Sequence, residues 1–192
     1  MKKKTICIFC ASSSRIDDSY KEAAHKLGTM IASQGHALIC GAGRAGLMGQ
    51  LIDGANSAGG ETIGIIPQFM VEKGWHHRGL SQMIVTNDMQ ERKKLMAQSS
   101  DAIITLPGGC GTLEELTEII TARQLGLYNG NIIILNLNGY YTPLLDMFSR
   151  AAKEGFIRPG QSASLWNVAA TVEEAFEMAI SDSIETEIID KY

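Results

Sequence analysis

The chain has 192 residues, 45% of them hydrophobic, which suits one soluble domain with one core, taken here to span 1–192. Its 17 basic and 21 acidic residues leave a formal net charge of −4, and no long basic stripe is present, so nucleic acid is not an expected partner. A small anionic ligand is still compatible with this balance, because a local arginine and an array of backbone N–H groups bind one regardless of net charge.

In chain order, the basic start Met1-Lys2-Lys3-Lys4 precedes an apolar run that is too short for a secretory signal, and polar Ser12-Ser13-Ser14-Arg15 follows at once. The spacing predicts a first strand over 5–10 instead. Cys7 and Cys10, three apart in that strand, point to opposite faces and are expected as buried thiols rather than as a metal clip or a disulfide. A helix follows over 19–34, then a strand over 37–40, a helix over 47–58 and strands over 62–66 and 83–86. The second half reads as helix 89–99, strand 102–106, helix 113–125, strand 132–135 and helices 142–154 and 172–181. The acidic segment 181–192 is weakly patterned and reads as a frayed helix or tail. No apolar run approaches the roughly 18 residues of a membrane span, so no membrane partner is expected and the cytoplasm is the expected compartment.

Short continuous apolar strands alternating with helices indicate an α/β fold: a three-layer, doubly wound parallel sheet of Rossmann-like type. In such a sheet a ligand binds outside the carboxyl ends of the strands. Three small-residue loops fall there: Ala11-Ser12-Ser13-Ser14, Gly41-Ala42-Gly43-Arg44-Ala45-Gly46-Leu47-Met48-Gly49 and Pro107-Gly108-Gly109-Cys110-Gly111-Thr112. Glycines let a backbone approach a ligand, and a helix start offers unpaired N–H groups to an anion, so the three together point to a phosphorylated ligand. Tight strand-to-helix packing is the plainer alternative. The candidate contacts are Ser12, Ser13, Gly43 and Met48 from the first two loops, with Gly108, Gly109, Cys110, Gly111 and Thr112 from the third. The second loop fits G-x-G-x-x-G, yet the next strand ends in Pro67-Gln68, without the acidic residue that holds a dinucleotide ribose, and Glu61 lies at its wrong end. No G-x-x-x-x-G-K-[ST] occurs, which excludes a P-loop.

Two charged residues stand out. Met89, Arg92, Leu95 and Met96 share one helical face, so Arg92 falls in an apolar stripe and needs an anionic partner unless it snorkels out. Lys93 lies at the edge of that face and Lys94 outside it. Thr112-Leu113-Glu114-Glu115 has capping-box spacing, under which Glu115 would only cap a helix; Thr171-Val172-Glu173-Glu174 has the same spacing and is read as a true box. Alternatively Glu115, on the rim of a helix-N-terminal anion pocket, faces a ligand's sugar rather than its phosphate.

Pro107-Gly108-Gly109-Cys110-Gly111-Thr112-Leu113-Glu114-Glu115 resembles the P-G-G-x-G-T-x-x-E motif of the Lonely Guy family, the cytokinin riboside 5′-monophosphate phosphoribohydrolases often labelled lysine decarboxylases. Asp88-Met89-Gln90-Glu91-Arg92-Lys93 is similar to its D-M-H-x-R-K stretch, and the loop from Gly41 to its G-G-G-x-x-G-L-M-G. Phe9-Cys10-Ala11-Ser12-Ser13 and Thr121-Ala122-Arg123-Gln124-Leu125-Gly126 resemble two further family stretches, F-C-G-S-S and T-W-x-Q-L-G. The resemblance implies Arg92 and Glu115 as the catalytic pair. It implies nucleotide contacts from Arg92, Lys93, Gly109, Cys110, Gly111, Thr112, Leu113, Glu114, Glu115 and Thr121. It also implies a homodimer. Ala42, Ala11 and Gln90 depart from the family pattern, and Gly74 stands where many members have a substrate-binding glutamate.

The expected activity is therefore hydrolysis of the N-glycosidic bond of a purine nucleoside 5′-monophosphate, without metal or redox cofactor. His76 and His77 have no evident third ligand, and Trp75 beside them serves either to stack on a base or to anchor its loop. A decarboxylase would need pyridoxal phosphate on a lysine, and no lysine stands out at a strand end. The rival reading is a non-catalytic carrier of the same fold, such as a molybdenum-cofactor carrier, which has no need of both Arg92 and Glu115. Independently of the family, the apolar residues Leu113, Leu116, Ile119 and Ile120 on one helix and Leu144, Leu145, Met147 and Phe148 on another are more than a lone sheet is expected to cover.

Overall fold

The computed structural model describes residues 2–157 and 165–182. Its strands are β1 (Thr5–Phe9), β2 (Ala37–Cys40), β3 (Glu61–Pro67), β4 (Gln82–Thr86), β5 (Ala102–Thr105), β6 (Asn131–Leu135) and β7 (Asn167–Ala169). They form one sheet in the order β4-β3-β2-β1-β5-β6-β7, and every pairing is parallel. The chain winds outward from β1 in one direction, then returns to its other side through β5. The switch point therefore lies between β1 and β5, where the carboxyl ends splay apart and leave room for a ligand.

The helices are α1 (Asp18–Ser33), α2 (Gly46–Ser57), α3 (Gln68–Glu72), α4 (Met89–Gln98), α5 (Cys110–Gln124), α6 (Thr142–Lys153) and α7 (Val172–Ile180). Two cores flank the sheet. One gathers Leu27, Ile31, Leu51, Ile52 and Phe176 from α1, α2 and α7 against Ile6, Ile8, Leu38 and Ile104. The other gathers Met96, Leu116, Ile119 and Ile120 from α4 and α5 against Cys7, Ile39, Ile103, Ile132 and Ile134. Cys10 belongs to the first and Cys7 to the second, as alternation requires, and both are free thiols.

Each predicted strand and helix lies within a few residues of an observed one. Three short elements escape the sequence reading, one of them a 3-10 turn at Leu137–Gly139. α3 has five residues directly after Pro67 and buries none of them, so it carries no periodic signature. β7 has three residues, with polar Asn167 at its start. Of the predicted tail 181–192, only 181–182 lie within the described residues. The apolar face of α5 is a further correction. Leu116, Ile119 and Ile120 are all covered within the chain, and Leu113 is half-buried. On α6, Leu144, Leu145 and Phe148 are half-buried against the second core and only Met147 of the four stands out, 61% exposed.

Candidate active site

The loops at the switch point are tied to one another. The Ala11 N–H donates to the Pro107 carbonyl at 3.3 Å, and the Leu47 N–H donates to the Ala11 carbonyl at 3.0 Å. Gly46, at φ 63°, has no room for a side chain because the backbone of Ser12 and Ser13 lies 2.5–2.6 Å from where a Cβ would sit. The third loop is held from beneath by two phenols, Tyr140 donating to the Gly108 carbonyl at 2.8 Å and Tyr141 to the Leu106 carbonyl at 2.7 Å. The Arg44 N–H donates to the Trp75 carbonyl at 3.0 Å, and Gly43 bridges His76, so the 74–77 segment is stitched to the second loop.

These loops enclose a cleft of about 690 Å³, within the usual range for small-molecule sites. One wall is apolar: Met48, Ile66, Met70, Trp75 and Met89. The other is polar: Ser12, Ser13, Gly109, Gly111, Thr112 and Glu114, with Arg92 and Glu115 at the floor. α5 starts at Cys110 with Gly109 as its N-cap, and its first bond runs from the Leu113 N–H to the Gly109 carbonyl. The N–H groups of Cys110, Gly111 and Thr112 precede that bond and stand at the positive end of the helix. No atom lies within 4 Å of where side chains on Gly109 and Gly111 would begin, so this end of the helix is open to a ligand.

This early start removes the capping-box reading of Glu115. Thr112 is the third helical residue rather than the N-cap; it is buried, and no side chain caps α5. Glu115 therefore lies in the second turn and has no cap to close. The same spacing at Thr171–Glu174 does form a capping box, with both reciprocal bonds present at the start of α7.

Arg92 is 6% exposed, as its place in the apolar stripe of α4 predicts. Its Nε donates to the Ile65 carbonyl at 3.1 Å, and its Nη1 lies 3.6 Å from Met89 Sδ and 3.8 Å from Glu115 Oε1. The pair is too long for a direct hydrogen bond, so both groups keep capacity for a ligand. Burial pushes the Glu115 carboxyl up from 4.5 to about 6; Arg92 and Lys93 oppose the rise, while Glu114 and Glu118 add to it. Burial likewise holds the thiols of Cys7 and Cys10 well above their ordinary range, which makes them poor nucleophiles.

Of the residues singled out from sequence, Ser12, Ser13, Gly43, Met48, Arg92, Gly109, Gly111, Thr112, Glu114 and Glu115 line this one cleft. Gly108, Cys110, Leu113, Lys93 and Thr121 do not line it within a single chain. Gly108 supports the loop, exposed Cys110 opens α5, and Leu113 packs against the core. Lys93 is held beside the cleft by Glu114 and, at 2.7 Å, by Glu118, contacts that raise its pKa. Exposed Thr121 lies further along α5 and donates to the Thr117 carbonyl at 2.8 Å. Sequence reasoning missed Met70, Met89 and Ile66 as wall residues, because apolar side chains near a strand end read as core. Trp75 anchors its loop through its backbone and lines the cleft with its ring, over which Lys73 Nζ sits at 4.8 Å. Gly74, at φ 66°, offers no side chain to the cleft. His77 uses both ring nitrogens, facing Asp53 at 3.1 Å and accepting from the Gly79 N–H at 3.0 Å.

Sheet order, loop-bound cleft and paired buried charges define an α/β protein of Rossmann-like type with a candidate small-anion site at its switch point. A profile of the family described as "Possible lysine decarboxylase" matches residues 48–179. The chain is 43% identical over 158 residues to the cytokinin riboside 5′-monophosphate phosphoribohydrolase LOG1 of Arabidopsis thaliana, covering 82% of this chain and 74% of that one. It is 42% identical over 157 residues to the cytokinin riboside 5′-monophosphate phosphoribohydrolase of Rhodococcoides fascians, covering 81% and 79%. The chain belongs to this phosphoribohydrolase family. Among solved structures, the Moco carrier protein of Chlamydomonas rheinhardtii matches with a TM-score of 0.70 at 24% identity, covering 92% of this chain and 95% of that one. At that identity the likeness shows the fold alone.

Proposed function

We propose that the protein hydrolyses the N-glycosidic bond of a purine nucleoside 5′-monophosphate, with plain or N6-modified adenine as base, to free base and ribose 5-phosphate. The observation that carries this reading is the placement of Arg92 and Glu115, 3.8 Å apart, on the floor of a cleft walled by apolar side chains on one side and the α5 N-terminus on the other. Family membership supports the same chemistry. The 5′-phosphate takes the N–H groups at the α5 N-terminus, at Gly111 and Thr112, a site for one compact anion. The base lies along Met48, Met70, Met89 and Trp75. Glu115, as carboxylate, faces the ribose and stabilises positive charge at C1′ as the bond to the base breaks. The base departs with the bonding pair and takes up a proton; Arg92 donates hydrogen bonds that favour this departure. Water adds to C1′ and gives its proton to Glu115 or solvent. No step calls for a metal or redox cofactor.

The same reading takes the protein as a homodimer, since a second copy is the simplest cover for Met147 on α6 and for Leu127, 61% and 78% exposed. Four cysteines, none in a disulfide, suit the reducing cytoplasm. Among the described residues no helix is long and apolar enough to cross a membrane. The deciding experiment is purified protein with AMP, GMP, IMP and N6-isopentenyl-AMP, each followed by chromatography for free base. Release from the adenine nucleotides is expected; absence of release from all four returns the protein to the carrier reading.

A further inference from the structure

The second glycine loop looks like a phosphate-binding fingerprint, but its first glycine faces a protein side chain. A Cβ built on Gly41 would stand 1.9 Å from Arg92 Nη2 and 3.1 Å from Arg92 Cζ, with Met48 Sδ also at 3.1 Å. Gly41 is buried and immediately follows β2, next to β3, whose Ile65 carbonyl holds Arg92 Nε at 3.1 Å. The guanidinium thus lies in a slot. The missing side chain of Gly41 is one side, the Ile65 carbonyl a second, and Met89 and Glu115 face Nη1.

We propose that Gly41 is a positioning residue for Arg92: the absence of a side chain at Gly41 is what allows the Arg92 guanidinium to reach the cleft floor and face Glu115. The proposal rests on the functional reading of Arg92 above, and it assigns this end of the G-x-G-x-x-G loop to the protein's own arginine instead of a ligand phosphate. Gly41 does not have the positive φ that would make alanine costly to the backbone. The atoms that an added methyl meets first belong to the ends of side chains, not to the backbone. An alanine there therefore folds and displaces the guanidinium. That displacement reaches Glu115. Arg92 and Lys93 from α4 lower its pKa, Glu114 and Glu118 on its own helix raise it, and the buried Cys7 of β1 and Cys10 just after it lie near enough to feel its charge.

The test is a double-mutant cycle of Gly41→Ala and Arg92→Ala, read by turnover, by pH profile and by melting temperature. In the wild-type background, Gly41→Ala is expected to lower kcat toward the about 10²–10³-fold loss of removing one preorganised donor. It is also expected to move the acid limb of the profile above pH 6. The same methyl is expected to lower the melting temperature when Arg92 is present and to leave it unchanged or raise it when Arg92→Ala has emptied the slot. If Arg92→Ala is inactive while Gly41→Ala keeps wild-type turnover and acid limb, the slot proposal is overturned. If the methyl changes the melting temperature equally in both backgrounds, it is overturned independently of activity. Full turnover in Arg92→Ala would instead overturn the functional reading, and the melting cycle would still decide the slot.

Discussion

Replacing Glu115 by glutamine removes the carboxylate charge and keeps the side-chain shape, and it separates stability from activity. Glu115 is 12% exposed in its side chain, and burial raises its carboxyl from 4.5 to about 6. The folded state therefore binds its proton more tightly than the unfolded state. Stability from this group is fully present below pH 4.5 and is lost as pH rises through about 6. One pH unit is worth about 1.4 kcal/mol, so the ionised carboxylate costs the fold about 2 kcal/mol at pH 7. The amide of Glu115→Gln carries no charge and escapes that cost, so the variant should be about 2 kcal/mol more stable at pH 7, or about 4–8 °C in melting temperature for a chain of this size. The gain should shrink as pH falls below 6 and vanish near pH 4. Turnover should fall, on the scale of about 2.7–4 kcal/mol for one preorganised charged group. Wild-type turnover itself should drop as pH falls through about 6, because protonated Glu115 cannot stabilise the ribosyl cation. Thermal denaturation at pH 4, 5, 6 and 7 with a base-release assay on the same samples checks the argument. A variant destabilised at pH 7, or one with near wild-type turnover, would refute it.

Arg92→Ala should weaken both turnover and AMP affinity, and Arg92→Lys should restore neither, since a point charge does not reproduce the fork that spans the Ile65 carbonyl and Glu115; full activity in Arg92→Lys removes the geometric argument. Adenosine should be a poor substrate beside AMP, and ATP likewise, because the α5 N-terminus fits one phosphate and no Walker lysine is present; equal rates on adenosine and AMP contradict the phosphate placement. Light scattering on a size-exclusion column at micromolar concentration should give at least twice the 20.8 kDa chain mass, and a clean single-chain mass rules out the dimer.

Much of this architecture is written in simple patterns. Apolar runs four to seven residues long, alternating with amphipathic stretches, define the sheet and most of its cover, and the placement of Arg92 follows from Met89, Leu95 and Met96 on one face of α4. Glu115 was not decidable that way. Thr112–Glu115 and Thr171–Glu174 share a spacing, yet only the second is a capping box, because Gly109 lets α5 begin three residues before the predicted start and carries Thr112 into the first turn. Gly41 illustrates a different limit. Its motif suggests a ligand, and only the three-dimensional approach of the Arg92 side chain to the end of β2 reveals that a guanidinium fills the space. The apolar cleft wall was hidden for the same reason, since Met70 and Met89 lie 19 residues apart in sequence and come to line one cleft only in the fold.

Cleavage at the N-glycosidic bond is read out by identifying both products in one reaction mixture of purified protein and AMP. Adenine and ribose 5-phosphate are expected in equal amounts, with no inorganic phosphate, and Glu115→Gln is expected to release both about 10²–10³-fold more slowly. Intact AMP after prolonged incubation, or adenosine with inorganic phosphate in place of adenine, would contradict that cleavage.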